Sequence, residues 1–401
     1  MKILLLTSMY PIPGIKIPGA TSVCHYFARE WIKMGHEVHV INLYTIYPRI
    51  FHVFGRMLER QISNKYTVGL NHIRYSNTFE YQIEGVSVNL IPAFKYIPRS
   101  LFPHQSIKRI TSKIIYYLDQ TAFNPDVIVG HFLLPCLQII PLLKIKYKSI
   151  PMGIVLHGRI RKNRDVQLIN KYKNQIDFWG FRSLPIQQSF IDKCFNPLKS
   201  FLCPSGVPTS YVRPNEINRH KKVGVENYLY VGNLMKRKHP VAVLEGLMKS
   251  GCKFNLTYIG DGVQENNIKR IGRKLLSKIV FLGRIPRDEV SAEMRKAECF
   301  IMISEQETFG LVYLEAMASG CITIASKNEG MDGIIQDGIN GFLCNAGDEN
   351  ELSSIIKRID SLSIQEKLTI TSNAIKTAEN MTDIKCSEKY INSLSHISSK
   401  K

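Results

Sequence analysis

Short apolar runs alternate with longer amphipathic stretches along the whole chain. The first apolar run covers residues 3–8, and a loop rich in Pro and Gly follows over residues 10–19. Apolar residues then recur at helical spacing from about Ser22 to Met34, and Gly35 is suited to end that helix. Residues 36–41 are predicted to form the second strand. A strand, a helix and a second strand in this order are typical of the opening of a parallel α/β sheet.

The same alternation continues and divides the chain in two. Apolar runs at residues 127–130 and 152–156 are each followed by a histidine. A segment rich in Pro, Asn and Lys at 195–225 is typical of a linker. Beyond it, apolar runs return at 228–231, 254–259, 279–282, 299–303 and 322–325. We predict an α/β protein with two doubly wound, Rossmann-like domains facing a central cleft, at 1–195 and 196–380. A helix at 381–401 is expected to pack back on the N-terminal domain.

The composition is that of a globular protein. The chain has 401 residues, of which 44% are hydrophobic and 21% charged. No apolar stretch is long enough for a membrane-spanning helix, and the apolar start is too short for a signal peptide. The nine cysteines are odd in number and lack C-x-x-C spacing, which argues against a disulfide framework or a zinc site. We therefore expect reduced thiols in the cytoplasm and no bound metal.

Positive charge is concentrated in the first half of the chain. The net charge is +20, and residues 1–190 contain 24 Lys and Arg against 9 Asp and Glu. A basic half of this kind attracts nucleic acid, anionic lipid or a phosphorylated substrate, although a solvated lysine-rich surface would also account for it. Residues 49–66 and 107–118 combine basic and bulky apolar side chains, so both segments are predicted to be amphipathic helices suited to an anionic membrane surface.

The most informative segment is Ile303–Gly320. An apolar strand ends at Ser304, a short polar loop follows, and a helix is expected to start near Phe309. The free N–H groups of a helix start form an anion site, which suits a diphosphate. Glu307 and Glu315 are carboxylates that can accept hydrogen bonds from a pair of sugar hydroxyls. The alternative is that Glu307 caps the helix and Glu315 is solvated.

This segment resembles the retaining nucleotide-sugar glycosyltransferases of family 4, which have the GT-B fold. The resemblance implies that Glu307 binds the donor sugar and Glu315 the nucleotide ribose. It also implies that backbone N–H groups hold the diphosphate, namely those of Phe309, Gly310 and Leu311. The domain at 1–195 would then bind the acceptor, and the domain at 196–380 the nucleotide sugar.

Other segments agree with the same family. Residues 230–240, 260–262 and 328–342 resemble its phosphate-binding, glycine-turn and closing-loop elements, and Ile285 lies where the backbone contacts the base. One departure concerns the diphosphate clamp, which in the family consists of an Arg and a Lys five residues apart. Lys238 is present, but Asn233 occupies the Arg position, and an amide does not replace a guanidinium. We predict that Lys236 or Arg237 supplies the missing charge.

Candidates in the first half are fewer. Gly19, before the first helix, can let the backbone approach a phosphate. By resemblance, His157 is the histidine that contacts the donor sugar near the reacting carbon. The possible acceptor-binding residues are Thr21, His131 and Arg159. A core histidine without a functional role remains the alternative for His131.

These residues favour one reaction over its alternatives. No carboxylate nucleophile is evident near His157, so we favour front-face attack by an acceptor hydroxyl, without metal or cofactor. A sugar-nucleotide epimerase of the same architecture is the nearest alternative, although no acid/base pair for it can be identified. A nucleic-acid-binding protein rests on charge alone, and a sugar-binding relic is disfavoured by the intact site residues.

The expected partners follow from the reaction. We predict a UDP- or GDP-sugar donor and an acceptor that is a glycan or a polyprenyl-diphosphate-linked glycan, as in cell-surface polysaccharide biosynthesis. Nucleic acid is not an expected partner. The protein is expected to be cytoplasmic, bound peripherally to the anionic inner face of the cell membrane.

Overall fold

The computed structural model describes residues 1–14, 21–48, 77–98, 100–212, 224–273, 275 and 279–399. The chain forms two compact units. Unit 1 comprises Met1–Phe181, Gln187–Cys203 and Ser387–Lys401, and unit 2 comprises Arg182–Ile186 and Pro204–Cys386. No helix among the described residues combines the length and apolar character needed to cross a membrane.

Unit 1 is built on an eight-stranded sheet with the order β3-β4-β2-β1-β5-β6-β7-β8. Every neighbouring pair is parallel except β3 and β4, which form an antiparallel hairpin at one edge. The strands are β1 (Lys2–Thr7), β2 (Glu37–Ile46), β3 (Phe79–Ile83), β4 (Val86–Phe94), β5 (Val127–His131), β6 (Met152–Leu156), β7 (Phe178–Phe181) and β8 (Ser200–Leu202).

The burial of these strands explains their sequences. All residues of β5, β6 and β7 are buried, because helices cover both faces of a parallel sheet and such strands become continuous apolar runs. β3 at the edge instead alternates exposed with half-buried residues. The helices of this unit are α1 (Val23–Lys33), α2 (His104–Gln120), α3 (Cys136–Lys146), α4 (Asn163–Tyr172) and α5 (Leu184–Lys193), of which the first residues of α5 belong to unit 2.

Unit 2 contains a six-stranded, fully parallel sheet with the order β11-β10-β9-β12-β13-β14. Its strands are β9 (Asn227–Val231), β10 (Asn255–Ile259), β11 (Ile279–Gly283), β12 (Cys299–Ile301), β13 (Ile322–Ser326) and β14 (Phe342–Cys344). Its helices are α6 (Pro240–Ser250), α7 (Glu265–Gly272), α8 (Arg287–Lys296), α9 (Leu311–Ala318), α10 (Glu349–Asp360) and α11 (Ile364–Glu379). The predicted pair of doubly wound parallel sheets is therefore confirmed.

The last helix, α12 (Asp383–Ser399), begins in unit 2 and continues as part of unit 1 from Ser387. Tyr390 of this helix is fully buried, and its ring packs edge-on against Phe27 and Trp31 of α1. The Trp31 indole N–H also donates a hydrogen bond to the Ser387 carbonyl at 3.1 Å. These aromatic contacts fix the end of the chain on α1.

The structure differs from the sequence-based boundaries in three places. Residues Arg182–Ile186 belong to unit 2, and unit 2 ends at Cys386 rather than at residue 380. Residues 200–202, inside the predicted linker, form β8 and pair with β7, so unit 1 extends to Cys203 rather than to residue 195. A strand of three residues is too short to show an alternating pattern in the sequence. It forms because it pairs with β7 in the folded sheet. The predicted helix at 49–66 lies outside the described residues.

Candidate functional site

The loop between β12 and α9 is held in place by buried hydrogen bonds. Ser304 is fully buried, and its hydroxyl lies 3.0 Å from the Tyr313 hydroxyl, which donates to the Met302 carbonyl at 2.7 Å. Burial raises the pKa of Tyr313 well above its ordinary value, so the hydroxyl keeps its proton. This network fixes the backbone that leads into α9.

Gly310 is the N-cap residue directly before α9 and has a left-handed backbone, with φ of 81°. A Cβ atom there would collide with the Tyr313 ring, so both the conformation and the space require glycine. α9 starts at Leu311, two residues after Phe309, where the sequence predicted its start. The amides of Phe309, Gly310 and Leu311 lie at this helix start, where unpaired N–H groups and the helix dipole favour an anion.

Two further segments of unit 2 close around the same loop. The Glu307 amide donates to the Glu329 carboxylate at 2.8 Å, and the Gly330 amide donates to the Glu307 carbonyl at 3.1 Å. From the residues before α5, the Ser183 hydroxyl donates to the Thr308 carbonyl at 2.9 Å. The loop is therefore preorganised by contacts on both sides before any ligand binds.

Lys238 forms an ion pair with Glu307, which lies in the loop before α9. Lys238 ends a 3₁₀ turn over Lys236–Lys238, and its side chain is 12% exposed against 15% for Glu307. The Ser304 hydroxyl donates a hydrogen bond to the same Glu307 oxygen at 3.3 Å. A cation suited to phosphate and a carboxylate suited to hydroxyl groups therefore lie side by side in a largely buried position.

Glu315 is buried on α9 and paired with Arg287, the first residue of α8. Arg287 donates from Nε to Glu315 Oε1 at 3.0 Å and from a second nitrogen to the same oxygen. Burial raises the pKa of Glu315, and the adjacent guanidinium partly opposes that effect. The alternative that Glu315 is solvated is therefore wrong. Arg287 was not identified from the sequence.

The loops that follow β9, β10 and β11 are tied together at the carboxyl edge of the sheet. The Gly260 amide donates to the Gly283 carbonyl at 2.7 Å, and a Cβ atom on Gly260 would collide with the Gly232 carbonyl. Glycine is needed here because two backbones approach closely. Ile285, the predicted base contact, follows directly and is half-buried against the core of unit 2.

Asn233 has an arginine neighbour that the sequence analysis missed. Arg284 donates to the Asn233 side-chain oxygen at 3.3 Å and to Asp261 at 2.7 Å. Arg237 instead directs its guanidinium to the Glu305 carbonyl at 3.4 Å. Whether Lys236 or Arg237 contributes to anion binding stays a prediction, whereas Arg284 is the arginine whose side chain contacts Asn233.

The histidines of unit 1 form a hydrogen-bonded chain at the ends of β5 and β6. His131 Nδ1 lies 2.8 Å from His157 Nε2, and His131 Nε2 lies 3.1 Å from the Tyr390 hydroxyl. The His157 ring also stacks on Phe132 at 4.0 Å between centroids. His131 is fully buried. Its hydrogen bond and the stacking on Phe132 both help to orient the His157 ring.

Cys24 lies close to the same histidines. Its sulfur and the two ring nitrogens are within 4.8 Å of one another, so the three residues could hold a metal ion. Two nitrogens bound to one tetrahedral zinc would be about 3.3 Å apart, given Zn–N bonds of roughly 2.0–2.1 Å. The 2.8 Å separation fits a hydrogen bond between the rings better. The expectation that no metal is used stays a prediction.

The remaining candidates of unit 1 lie before α1 and after β6. The Thr21 hydroxyl accepts a hydrogen bond from the Val23 amide at 3.3 Å, just before α1. Arg159 is half-buried after β6. Gly19 lies outside the described residues. The roles assigned to these three residues stay predictions.

The chain is similar in sequence to known glycosyltransferases. The family profile described as "Glycosyl transferases group 1" matches residues 212–377. The chain is 32% identical to an N-acetyl-alpha-D-glucosaminyl L-malate synthase of Bacillus anthracis, with 87% of this chain and 85% of that relative covered. It is 25% identical to a Bacillus subtilis glycosyltransferase whose name places it provisionally in teichuronic acid biosynthesis, with 79% of both chains covered.

Solved structures show the same fold. Sucrose-phosphate synthase from Thermosynechococcus elongatus superposes with a TM-score of 0.73 at 16% identity, covering all of both chains. The HepE protein of Anabaena in complex with UDP superposes with a TM-score of 0.69 at 17% identity, covering 99% of this chain and 100% of that one. At these identities the likeness concerns the fold alone.

Proposed function

The chain belongs to the glycosyl transferases group 1 family and has the GT-B fold, and we propose that it transfers a sugar with retention from a nucleotide-sugar donor to an acceptor hydroxyl. The observation that carries the proposal is the ion pair between Lys238 and Glu307 of the loop that precedes α9. Family membership makes the protein a glycosyltransferase. The roles of individual residues, described next, are our proposal.

The donor's diphosphate would bind at the start of α9. Backbone N–H groups there and the ammonium of Lys238 face an anion, and both stabilise the charge that grows on the diphosphate as it leaves. Such preorganised donors are each worth roughly a hundredfold to a thousandfold in rate. No cofactor is needed in this scheme, because the nucleotide sugar is itself the substrate and the protein's cations face the leaving group.

Glu307 would bind hydroxyl groups of the donor sugar. Its carboxylate accepts hydrogen bonds from Lys238 and Ser304. An ammonium group has three N–H donors, so Lys238 can turn part of its bonding to phosphate oxygens while the carboxylate turns to the sugar. The pair thus keeps two partly buried charges compensated until the donor replaces their mutual contact.

Glu315 would bind the ribose, and Arg287 would hold it in the charged state. Two nitrogens of Arg287 donate hydrogen bonds to Oε1 of Glu315, and these contacts hold the carboxylate in place. A buried carboxylate whose pKa is raised by burial needs such a cation to remain an acceptor at neutral pH. Arg287 is therefore a positioning residue in this proposal.

The transfer step needs no protein nucleophile. The bond between the sugar carbon and the diphosphate oxygen breaks as the acceptor oxygen attacks from the same face, and the acceptor proton passes to the departing diphosphate. His157, oriented by His131 and Tyr390, would hydrogen-bond the sugar during bond breaking. No relative reported above supports the epimerase alternative.

We propose a lipid-linked acceptor because unit 1 contains a cavity lined by basic and apolar side chains. A cavity of about 280 Å³ lies beside Ile46 and Phe94, the last residues of the parallel strands β2 and β4. Ligands of α/β sheets bind at these carboxyl ends. Arg109 and Lys113 line the cavity together with apolar side chains, a combination that suits a phosphate joined to an aliphatic chain.

Membrane contact would involve a loop rather than the apolar face of α2. That face is buried, including Ile107, Ile110 and Ile114, so only the basic side of the helix can meet a membrane. Tyr96 and Ile97 next to the cavity are 59% and 61% exposed. Sedimentation with anionic but not neutral vesicles, reversed by raising salt from about 0.1 to 1 M, is the expected result. Equal sedimentation with both vesicle types would contradict it.

Nucleotide protection followed by product analysis tests the function as a whole. UDP or GDP should raise the melting temperature, whereas DNA oligonucleotides should not, because the site is built for a diphosphate and a sugar. A panel of UDP- and GDP-sugars with a polyprenyl-diphosphate-linked acceptor should then yield a glycoside whose anomeric configuration matches the donor. Stabilisation by DNA alone, or an inverted product, would overturn the proposal.

A further inference from the structure

The diphosphate clamp of this chain lacks an arginine at residue 233, and the structure provides one from a different strand. The Arg284 guanidinium, directly after β11, contacts the Asn233 side chain at 3.3 Å. Arg284 therefore approaches the position that a longer side chain at residue 233 would occupy. The segment around it was identified from the sequence for its backbone, not for this side chain.

Adjacent loops explain how Arg284 reaches Asn233. β11, β10 and β9 are neighbouring parallel strands, so their following loops emerge at one edge. The Gly260 amide bonds the Gly283 carbonyl, and the Leu234 amide bonds the Asp261 carbonyl at 2.8 Å. Backbone hydrogen bonds therefore connect the three loops. They place Arg284 beside the loop that leads from β9 to Lys238.

The contacts of Arg284 leave it able to bind a further anion. Its Nε donates to Asp261 at 2.7 Å, and a terminal nitrogen donates to Asn233. A guanidinium has several more N–H donors in the same plane, which suit phosphate oxygens. The side chains of Arg284 and Asp261 are 68% and 53% exposed, and exposed pairs of this kind are weak. Phosphate can therefore share or displace the carboxylate.

We infer that Arg284, oriented by Asp261 and Asn233, supplies the second cationic contact to the donor's diphosphate. The inference rests on the proposed nucleotide-sugar site and refines it. Asn233 accepts from Arg284 through its oxygen and keeps its amide nitrogen as a donor, so the two side chains together replace one arginine. Lys238 supplies the first contact, as the sequence analysis expected.

Paired ligands with and without the diphosphate test the inference. Arg284→Ala should weaken UDP binding about tenfold, which is about 1.4 kcal/mol, and leave uridine binding unchanged, because only UDP carries the anion. Binding is measured by calorimetry at low salt, where the contact of an exposed guanidinium is strongest. Arg270→Ala is the matched control, since Arg270 is likewise exposed and hydrogen-bonded to an asparagine, Asn267, on α7. It should bind UDP like the wild type.

Relocating the charge provides a second test. Asn233→Arg combined with Arg284→Ala should recover the lost UDP affinity, because the guanidinium returns to the loop that precedes Lys238. UDP binding unchanged in Arg284→Ala, or UDP and uridine weakened equally, would overturn the inference while the proposed function stands. A wild type that binds neither UDP nor GDP would instead overturn the proposed function, and the GDP–guanosine pair replaces UDP–uridine if only GDP binds.

Discussion

The carboxyl edges of the two sheets use different chemistry. In unit 2, charged side chains at that edge are paired with one another: Lys238 with Glu307, Arg287 with Glu315 and Arg284 with Asp261. In unit 1, the carboxyl ends of β5 and β6 are instead joined by hydrogen bonds between ring side chains, from Tyr390 through His131 to His157. One edge is organised by compensated charge, and the other by hydrogen bonds between rings.

The difference shows how the charges of a ligand site can be compensated within the protein itself. Largely buried charges without partners are costly, so a phosphate-binding cation is kept beside a carboxylate that binds hydroxyl groups. Unit 1 is not free of buried charge, however. Lys95 after β4 is 8% exposed and packs over the Phe102 ring at 4.6 Å, and among the described residues no ion pair joins it to a carboxylate. The paired cations of unit 2 and Lys95 of unit 1 therefore lead to different predictions.

Removing the carboxylate of the central pair should have the largest effect. Glu307→Ala is expected to reduce transfer at least a hundredfold, because the sugar hydroxyls lose their acceptor at the reacting centre. The fold should stay intact, as measured by circular dichroism. Glu305→Ala, a change of an exposed carboxylate in the same loop, is the control and should retain activity. Normal turnover in Glu307→Ala would remove the sugar-binding assignment.

The unpaired cation of unit 1 should reveal itself in the pH dependence of stability. Burial, with Arg164 and Lys162 nearby, lowers the pKa of Lys95 from 10.5 to about 8. The unfolded chain therefore binds more protons between these pH values, so stability should rise as pH increases from about 8 to 10.5. Below pH 8 the penalty is complete and amounts to about 3 kcal/mol.

Lys95→Met isolates this contribution from other titrating groups. The variant should be more stable than the wild type by about 2–3 kcal/mol at pH 7, after allowance for the lost contact with Phe102, and the gap should close above about pH 10.5. Urea unfolding at several pH values measures the difference. A gap that does not vary with pH would show that Lys95 is not held at a lowered pKa.

Glu315 should affect donor binding more than the chemical step. Glu315→Gln is expected to raise the donor KM about tenfold with a smaller fall in kcat, because ribose contacts are similar in the ground and transition states. Initial-rate kinetics with saturating acceptor separates the two parameters. A fall in kcat at constant KM would contradict the ribose assignment and would move Glu315 towards the reacting centre.

The smallest effect on catalysis is expected from the hydrogen bond between Tyr390 and His131 in unit 1. Tyr390→Phe removes the hydroxyl that contacts His131 but keeps the ring on Trp31 and Phe27, so the fold should hold. We expect a loss in kcat of several-fold at constant donor KM, in line with one neutral hydrogen bond of about 1 kcal/mol. Tyr390→Leu, in contrast, should lower the melting temperature. An unchanged kcat in Tyr390→Phe would show that His157 needs no support from α12.

What the sequence could predict depended on the range of the interaction. Buried strands such as β5 and β6 carry their own apolar signal, and Glu307, Gly310 and Lys238 lie in segments whose local pattern is informative. The partners Arg284, Arg287 and Tyr390 have no such pattern. Each reaches its target from a distant part of the chain, and Tyr390 contacts a residue 259 positions away. Only the assembled sheet edges bring these side chains to the site.

UDP binding to variants of the central pair tests the main idea most directly. If Lys238 binds the diphosphate and Glu307 competes with the diphosphate for Lys238, Lys238→Met should lose at least tenfold in UDP affinity. Glu307→Gln should bind UDP as tightly as the wild type or more tightly, because the competing charge is gone. Titration calorimetry of both variants gives the answer. A Glu307→Gln variant that loses as much UDP affinity as Lys238→Met would contradict the account.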